Sequence, residues 1–449
     1  MAPHGAATRY DERRPVFLTD PRGLSAWARE SQAPVARPGS PTAARAASKR
    51  VRDAEADMAE AEPAVDKDGG RSKRDGASSA PAPGEPSPAA GTMESAPSVV
   101  APEAQLPDGC LVYIPSALQT PLLNEVVTVI GTLSTLPELA AAEFAGEAED
   151  LIAAHPPTSR CPRVHAISVA AAGETGPAGP ALETPALVEQ ARAGLLAFLQ
   201  RCLGGDSLAA EYLLLQLVGR VATRQENTGL VGLLSLNLTQ APAAAATPAG
   251  PLSPQGQAIR DALEAVAPRV VPLSLDIKEL SARPWWPMRH QTTERLLPGR
   301  LQLAKGTQVL VDESVMTAGM LSEVAIRNLQ AVEGLIRSQK VSYGFEFFEL
   351  EQEADAPVTV LSCGRSMLKD AIALWLPLEA SSPEPTAGVL ADVAGQLPLF
   401  RAFLAHARGL DFSIPSSMTE TVEKVWAAAN ELENRRAARC AAASAAVAR

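Results

Sequence analysis

The sequence predicts an α/β protein. A mainly parallel sheet lies under helices on both faces, a small β-rich unit precedes it, and a long tail in front builds no core. Three observations predict this. From about residue 187 onward, apolar strands alternate with helices, the pattern of a parallel sheet buried on both sides. The strand Thr307-Gln308-Val309-Leu310-Val311 closes on Asp312-Glu313, the pair that holds magnesium and orients water in a phosphate-loop ATPase. No Phe, Tyr or Trp occurs between Trp27 and Tyr113, so that interval cannot bury enough apolar surface to offset its ordering entropy.

Residues 1–105 therefore read as a mostly disordered tail, with the disorder concentrated between about 30 and 105. Two basic clusters lie in it, Lys49-Arg50-Val51-Arg52 and Arg71-Ser72-Lys73-Arg74. Such runs serve as nuclear import signals or are plain solvated charge. Ahead of them Arg14-Pro15-Val16-Phe17-Leu18 and Leu24-Ser25-Ala26-Trp27 make an apolar island. It is too short to fold alone, so it either docks on the rest of the chain or belongs to a larger N-terminal domain.

Residues 106–185 are expected to form a small β-rich subdomain. Its candidate strands are Leu111–Ile114, Glu125–Ile130, which ends at Gly131, and Arg163–Ile167. The Gly/Pro-rich stretch Ala170–Pro185 reads as a loop.

Residues 186–380 are expected to form the α/β core. Helix Leu187–Leu203 carries Val188, Ala191, Leu195, Leu196 and Leu199 at helical spacing. Gly204-Gly205 breaks it, and Asp206 or Ser207 caps the next helix. That helix runs to about Thr223 and is apolar on most sides, which predicts a central, buried position. Strand Leu233–Leu238, helix Ser253–Ala265, strand Val270–Leu275 and strand Gln308–Asp312 follow. Helix Glu323–Gln339 presents Ile326, Leu329, Val332 and Ile336 on one face. Val341, Tyr343, Phe345 and Phe347 alternate as a half-exposed strand, and Val358–Leu361 reads as another buried one. Residues 381–449 read as a helical C-terminal segment. Ser417-x-x-Glu420 is a capping box, and Val422, Val425, Trp426, Ala429 and Leu432 share one face of the helix after it. That face reads as core rather than as a partner-binding surface.

Composition narrows the function. The chain has 449 residues, 40 basic against 51 acidic, for a formal net charge of −11. Sequence-independent DNA binding needs clustered Lys and Arg to neutralise phosphates, so little direct nucleic-acid binding is expected. The five cysteines, at 110, 161, 202, 363 and 440, are dispersed and read as reduced intracellular thiols. No apolar run suits a secretory signal or approaches the ~20 residues of a membrane span. Cytosol or nucleus is left.

The Asp312-Glu313 pair lacks its counterpart. A phosphate loop needs glycines for close backbone approach, a Lys for the β/γ-phosphates and a hydroxyl for magnesium. No Gly-Lys-Ser or Gly-Lys-Thr occurs anywhere in the chain. The candidate position after Leu234–Leu238 reads Thr239-Gln240-Ala241-Pro242-Ala243, with a Pro where N–H donors are needed. The combination points to an ATPase-shaped binding protein rather than an ATPase. His155, Cys161 and His165 have irregular spacing for zinc and no fourth ligand nearby. Cys363-Gly364-Arg365-Ser366 has no His close in sequence, and no Gly-x-Ser-x-Gly elbow exists. Trp285-Trp286-Pro287 beside Arg283, Arg289 and His290 either stacks on a base or anchors a partner, or is a set of packed loop aromatics, the preferred reading. No catalytic, cofactor or metal residue is assigned.

Several stretches resemble the mini-chromosome maintenance (MCM) complex-binding protein family. Leu203-Gly204-Gly205-Asp206-Ser207-Leu208-Ala209-Ala210-Glu211-Tyr212-Leu213-Leu214-Leu215 looks like its hallmark. Leu236-Asn237-Leu238-Thr239, Leu301-Gln302-Leu303 with Leu310-Val311-Asp312-Glu313, Gln339–Phe345 and Gly364-Arg365-Ser366-Met367-Leu368 match in order, and Pro15–Glu30 resembles the segment before the family's charged linker. The match covers most of residues 105–415. The resemblance implies a degenerate, MCM-like AAA+ core without a phosphate loop. It also implies a non-catalytic nuclear adaptor that binds MCM helicase subunits, touches chromatin indirectly, and regulates helicase unloading or assembly during DNA replication and the cell cycle. A role in sister-chromatid cohesion and mitosis goes with it. It implies no cofactor, no membrane and a chain lacking most of the family's N-terminal region. The rival readings are a divergent AAA+ ATPase with an atypical nucleotide site and a direct DNA-binding replication factor using Arg283–His290.

Overall fold

A computed structural model of the chain describes residues 13–32, 109–133, 161–172, 180–225, 229–240, 251–290, 296–378, 386–410, 415–425, 427, 428 and 431. The chain divides into two compact units, Met1–Ala28 with Asp108–Arg449, and Arg29–Pro107. The architecture below belongs to the first; of the second, only residues 29–32 are described. The expected disorder between about 30 and 105 falls almost wholly outside the described residues.

The N-terminal island docks. β1 (Arg13–Thr19) and the short helix α1 (Ala26–Gln32) come first, followed by β2 (Gly109–Pro115), β3 (Val127–Leu133) and β4 (Arg163–Ala171). The four strands make one sheet in the order β1-β2-β4-β3. β1 pairs antiparallel with β2, β2 parallel with β4, and β3 antiparallel with β4. Val112, Ile114 and Ala166 form its small buried core. After β1 the chain crosses to the larger core. Ser25 N donates to Pro268 O at 2.9 Å, and Ser25 Oγ to Ala267 O at 2.6 Å. Trp27 Nε1 donates to Glu264 O at 2.9 Å, and the Arg401 guanidinium lies 4.1 Å over the Trp27 ring. The residues that read as an isolated island thus strap the small sheet to the main one.

The core begins with α2 (Pro185–Cys202) and α3 (Ser207–Val218). Thr184 caps α2, with Pro185 at its first turn, where the missing N–H costs nothing. Gly204 and Gly205 turn the chain with φ of 73° and 95°. Asp206 then caps α3, its Oδ1 accepting from Ala209 N at 2.9 Å. α3 ends at Val218, not near Thr223, because Gly219 turns extended with φ −56° and ψ 140°. A short hairpin, β5 (Thr223–Gln225) and β6 (Gly229–Val231), takes up the residues beyond. Nor is α3 buried all round: Leu208 and Leu215 are exposed.

Next come β7 (Leu236–Gln240), α4 (Pro254–Val266), β8 (Val270–Ser274), α5 (Ile277–Ala282), β9 (Met288–Arg289), β10 (Leu296–Leu297), β11 (Gln308–Asp312), α6 (Glu323–Ser338), β12 (Lys340–Gly344), β13 (Glu349–Glu353), β14 (Val358–Cys363), β15 (Leu374–Pro377), α7 (Thr386–Val393) and α8 (Leu397–Gly409). β7, β8, β11, β14 and β15 form an all-parallel sheet in the order β15-β7-β14-β11-β8. Its two edge strands carry Pro377 and Pro272, residues that a central strand could not accommodate. Alternate residues of β11 face opposite cores. Leu310 packs with α2, α3, α4, α7 and α8, while Val309 and Val311 pack with α5 and α6. All three are at most 1% exposed, which at roughly 1.5–3 kcal/mol per side chain makes this strand the hydrophobic spine. A second small sheet, β10-β9-β12-β13, lies on the α6 side.

Two more expectations are corrected. Phe345 and Phe347 do not continue β12; Phe345–Phe348 is the turn into β13, closed by Phe345 N donating to Phe348 O at 2.9 Å. The Ser417–Glu420 run opens as a 3-10 turn, Ser416–Met418, and in the helix after it Val422 and Val425 are exposed. The face expected in a core lies open to solvent there; Trp426, Ala429 and Leu432 lie outside the described residues.

Asp206→Ala removes the cap of α3 without touching the core. Its expected effect is a loss of about 1 kcal/mol, within the 0.5–2 kcal/mol range of cap deletions. A lowered urea midpoint with an unchanged slope checks it.

Candidate functional site at the carboxyl end of the parallel sheet

In an open parallel sheet, ligands bind beyond the carboxyl ends of the strands, where neighbouring connections diverge. Here that point lies between β7, whose chain leads to α4 and β8, and β14, whose chain leads to β15 on the other side. Thr239 Oγ1 and Ser362 Oγ lie 3.4 Å apart across this boundary, and Ser362 Oγ donates to Asn237 Oδ1 at 3.0 Å. Gln240 Nε2 donates to Cys363 Sγ at 3.6 Å. Residues 241–250, the stretch after β7 where a phosphate loop would run, lie outside the described residues.

β11 delivers Asp312 to this end of the sheet, and α4 delivers Ser253. Asp312 is fully buried. Its Oδ2 accepts from Ser253 N at 2.7 Å and Ser253 Oγ at 2.8 Å. Its Oδ1 accepts from Ser314 N at 3.0 Å and Ser314 Oγ at 2.5 Å. A carboxylate offers about four lone-pair sites, and these four donors fill them. Ser253 is also the N-cap of α4, its Oγ accepting from Gly256 N at 3.0 Å. In a phosphate-loop ATPase, a loop Ser or Thr and this acid hold magnesium together. Here they hold each other, and the anion at the start of α4 is the protein's own side chain.

Gly256 makes the approach possible. A Cβ there would sit 2.3 Å from Asp312 Oδ2. The glycine is required by the carboxylate, not by the helix, which would be better served by alanine.

Glu313 is turned to a different task. It points to the other face of the sheet, is 9% exposed, and accepts from Ser366 Oγ at 2.8 Å and Met367 N at 3.1 Å. Ser366 Oγ in turn accepts from Leu368 N at 3.0 Å. Burial pushes the Glu313 carboxyl above its ordinary range; the bonds from Ser366, Met367 and Leu368 pull it back, and the Asp312 charge adds to the rise. Glu313 therefore staples the turn after β14 instead of facing an open crevice.

The other candidate groups are accounted for elsewhere. Trp285 is fully buried, with Arg300 5.5 Å over its ring; Arg327 lies 4.7 Å over Trp286. Asn328 accepts from Trp285 N at 2.7 Å and donates to the carbonyls of Leu280 and Arg283, fixing the turn. The tryptophan faces that a base would need are covered from within. His165 stacks on Tyr113 and bonds Arg13 Nη1 at 2.8 Å, while the buried Cys161 thiol lies against the carbonyls of Gly109 and Pro162. His155 lies outside the described residues. No group of three or more His, Cys, Asp or Glu suited to a metal ion occurs among the described residues. No single described helix is long and apolar enough to cross a membrane.

Two outcomes are expected. Asp312→Ala leaves buried donors of Ser253 and Ser314 without an acceptor and should cost about 2–4 kcal/mol of stability, at about 1–3 kcal/mol per stranded group. Urea unfolding of the full chain checks it. The second concerns pH. A carboxyl whose folded pKa is raised adds stability below its unfolded pKa, and that stability is lost as pH rises through the folded value. Glu313→Gln does not titrate, so it should gain on the parent in stability as pH rises from acid to neutrality, where the parent must ionise a buried carboxyl. Melting temperatures of both across that range give the trend.

Comparison with known proteins agrees in one direction. A family model described as the mini-chromosome maintenance replisome factor matches residues 3–441. The mini-chromosome maintenance complex-binding protein of Salmo salar is 31% identical over 342 residues, covering 70% of this chain and 53% of the relative. The protein of that name from Danio rerio gives the same identity and coverage. The one from Arabidopsis thaliana is 29% identical over 341 residues, covering 72% and 55%. The chain thus spans about half the length of the curated relatives it matches. With a match over nearly its whole length, this chain belongs to the mini-chromosome maintenance replisome factor family.

Proposed function

We propose that this chain is a non-catalytic nuclear adaptor that binds subunits of the MCM helicase and regulates their unloading or assembly during DNA replication, with a consequent part in sister-chromatid cohesion. The observation that carries the reading is the closed Asp312 carboxylate. An acid placed where magnesium would sit, with every lone pair taken by Ser253 and Ser314, supports a core that keeps the ATPase outline and spends its chemistry on structure. The five parallel strands, with the acid at the end of β11 facing the start of the helix after β7, support an AAA+-like core. The relatives' shared name supplies the partner: those proteins bind the mini-chromosome maintenance complex. Lys49–Arg52 and Arg71–Arg74 serve nuclear import in this reading.

Two measurements test it. Purified full-length chain, mixed with individual MCM subunits, should co-elute with at least one of them on size exclusion; co-elution with none overturns the adaptor reading. Magnesium-ATP should leave the melting temperature unmoved, whereas a ligand at a hundred times its Kd would stabilise by about 2.7 kcal/mol. Saturable, magnesium-dependent nucleotide binding that disappears in Asp312→Ala overturns the non-catalytic reading.

A further inference from the structure

The β12–β13 hairpin ends in four residues, Phe345-Glu346-Phe347-Phe348, that leave a large aromatic side chain in water. Phe347 is 90% exposed and Phe348 59%. Single exposed apolar residues are ordinary on a protein surface. This one differs in how it is held. Phe345 and Phe348 stack with centroids 4.8 Å apart at 14°, and Phe345 N donates to Phe348 O at 2.9 Å. Neither Glu346 nor Phe347 adopts positive φ, so the turn is built without glycine freedom. Directly after it Glu349 pairs with Arg327 at 2.7 Å, and Arg327 lies over Trp286, tying the tip to α6 and the buried tryptophan turn. Phe347 contributes almost nothing to the core, yet the two phenylalanines that flank the turn, Phe345 and Phe348, hold each other.

A rigidly displayed aromatic residue is what an interface anchor requires. It brings a large apolar area at small ordering cost, because its support is already ordered before the partner arrives. Met320, in the loop between β11 and α6, is 94% exposed at the same carboxyl end of the fold. The charge around the tip is acidic. Glu346 is exposed and has no ion-pair partner among the described residues, and the chain as a whole carries a net charge of −11.

We propose that this hairpin tip is a docking knob for a folded protein partner: Phe347 enters an apolar pocket whose rim carries a Lys or Arg facing Glu346. The inference rests on the adaptor reading above, in which that partner is an MCM subunit, and it adds the surface used.

The test uses the full chain and the subunit found to co-elute with it. Phe347→Ser is the variant, because Phe348 holds the turn and Phe347 does not; its melting temperature should match the parent's. The expected result is a Kd weakened about tenfold or more, as for a central interface aromatic. Glu346→Lys should slow association, with the difference shrinking at high salt. Leu208→Ser, at an exposed leucine of α3, should bind as the parent does. A parent-like Kd for Phe347→Ser overturns the docking knob and leaves the adaptor reading standing. A parent that binds no subunit overturns both. A parent that is dimeric in solution and becomes monomeric in Phe347→Ser makes the tip a self-association surface, which also overturns the proposal.

Discussion

The buried carboxylate of Asp312 is the constraint on which the carboxyl end of the sheet depends. Burying a charge is costly unless it is fully hydrogen-bonded. The chain meets that cost with two serines, each supplying an amide and a hydroxyl. Ser253 arrives from the far end of the residues that follow β7, and Ser314 from the two residues that follow Asp312. One side chain thereby fixes the start of α4, the end of β11 and the first turn of the loop beyond. It also fixes Gly256, whose hydrogen is all the space between helix and carboxylate allows. Charge-assisted bonds of this kind are shorter and about twice as strong as neutral ones. The same atoms that would make a metal site when left open make a structural lock when closed.

Much of the skeleton was legible in the residues. The short, β-branched apolar runs Val309–Val311 and Val358–Leu361 lack alternation, the pattern of strands covered on both faces. Ser253 before Pro254 and Asp206 after two glycines mark helix starts by chemistry that acts within three residues: the helix expected from Ser253 begins there with Ser253 as its cap, and of Asp206 and Ser207 it is Asp206 that caps α3. Most of what failed involved tertiary partners. Nothing local says that Phe345–Phe348 turns instead of continuing, or that Leu208 and Leu215 find no cover. Gly219, by contrast, is a local stop signal for α3, masked by the apolar Val221 beyond it. The acid pair itself was visible at Asp312-Glu313. The closing of the site was not, since Ser253 is 59 residues away and its hydroxyl is one among many.

The N-terminal strap carries the same lesson. Residues 13–28 pair with residues 109–115 and 264–270 across a long interval that contains no aromatic residue. Loop-closure entropy grows only as the logarithm of separation along the chain, so sequence distance alone is a small part of the cost of docking a segment. Short apolar islands look structureless when read alone. Trp27 shows why they need not be: an indole N–H to the Glu264 carbonyl and a guanidinium on the ring give it a specific seat.

Apolar side chains are exposed at several places, among them Leu208 and Leu215 on α3 and Ile130, Leu133 and Ile167 on the small sheet; two further surfaces contrast in how they are held. The helix after Ser416–Met418 shows Val422 and Val425 to solvent, and its exposed Lys424–Glu420 pair at i, i+4 is worth little against fraying. The hairpin tip is instead held by a ring stack and a backbone bond, with the half-exposed Arg327–Glu349 pair adding little. Binding ΔG is what remains after the ordering cost, so equal apolar areas do not bind equally. The Asp312 carboxylate, with its four acceptor positions filled by Ser253 and Ser314, holds structure together at this end of the sheet. Of the hairpin tip and the helix after Ser416–Met418, the surface that is ordered beforehand loses less on meeting a partner.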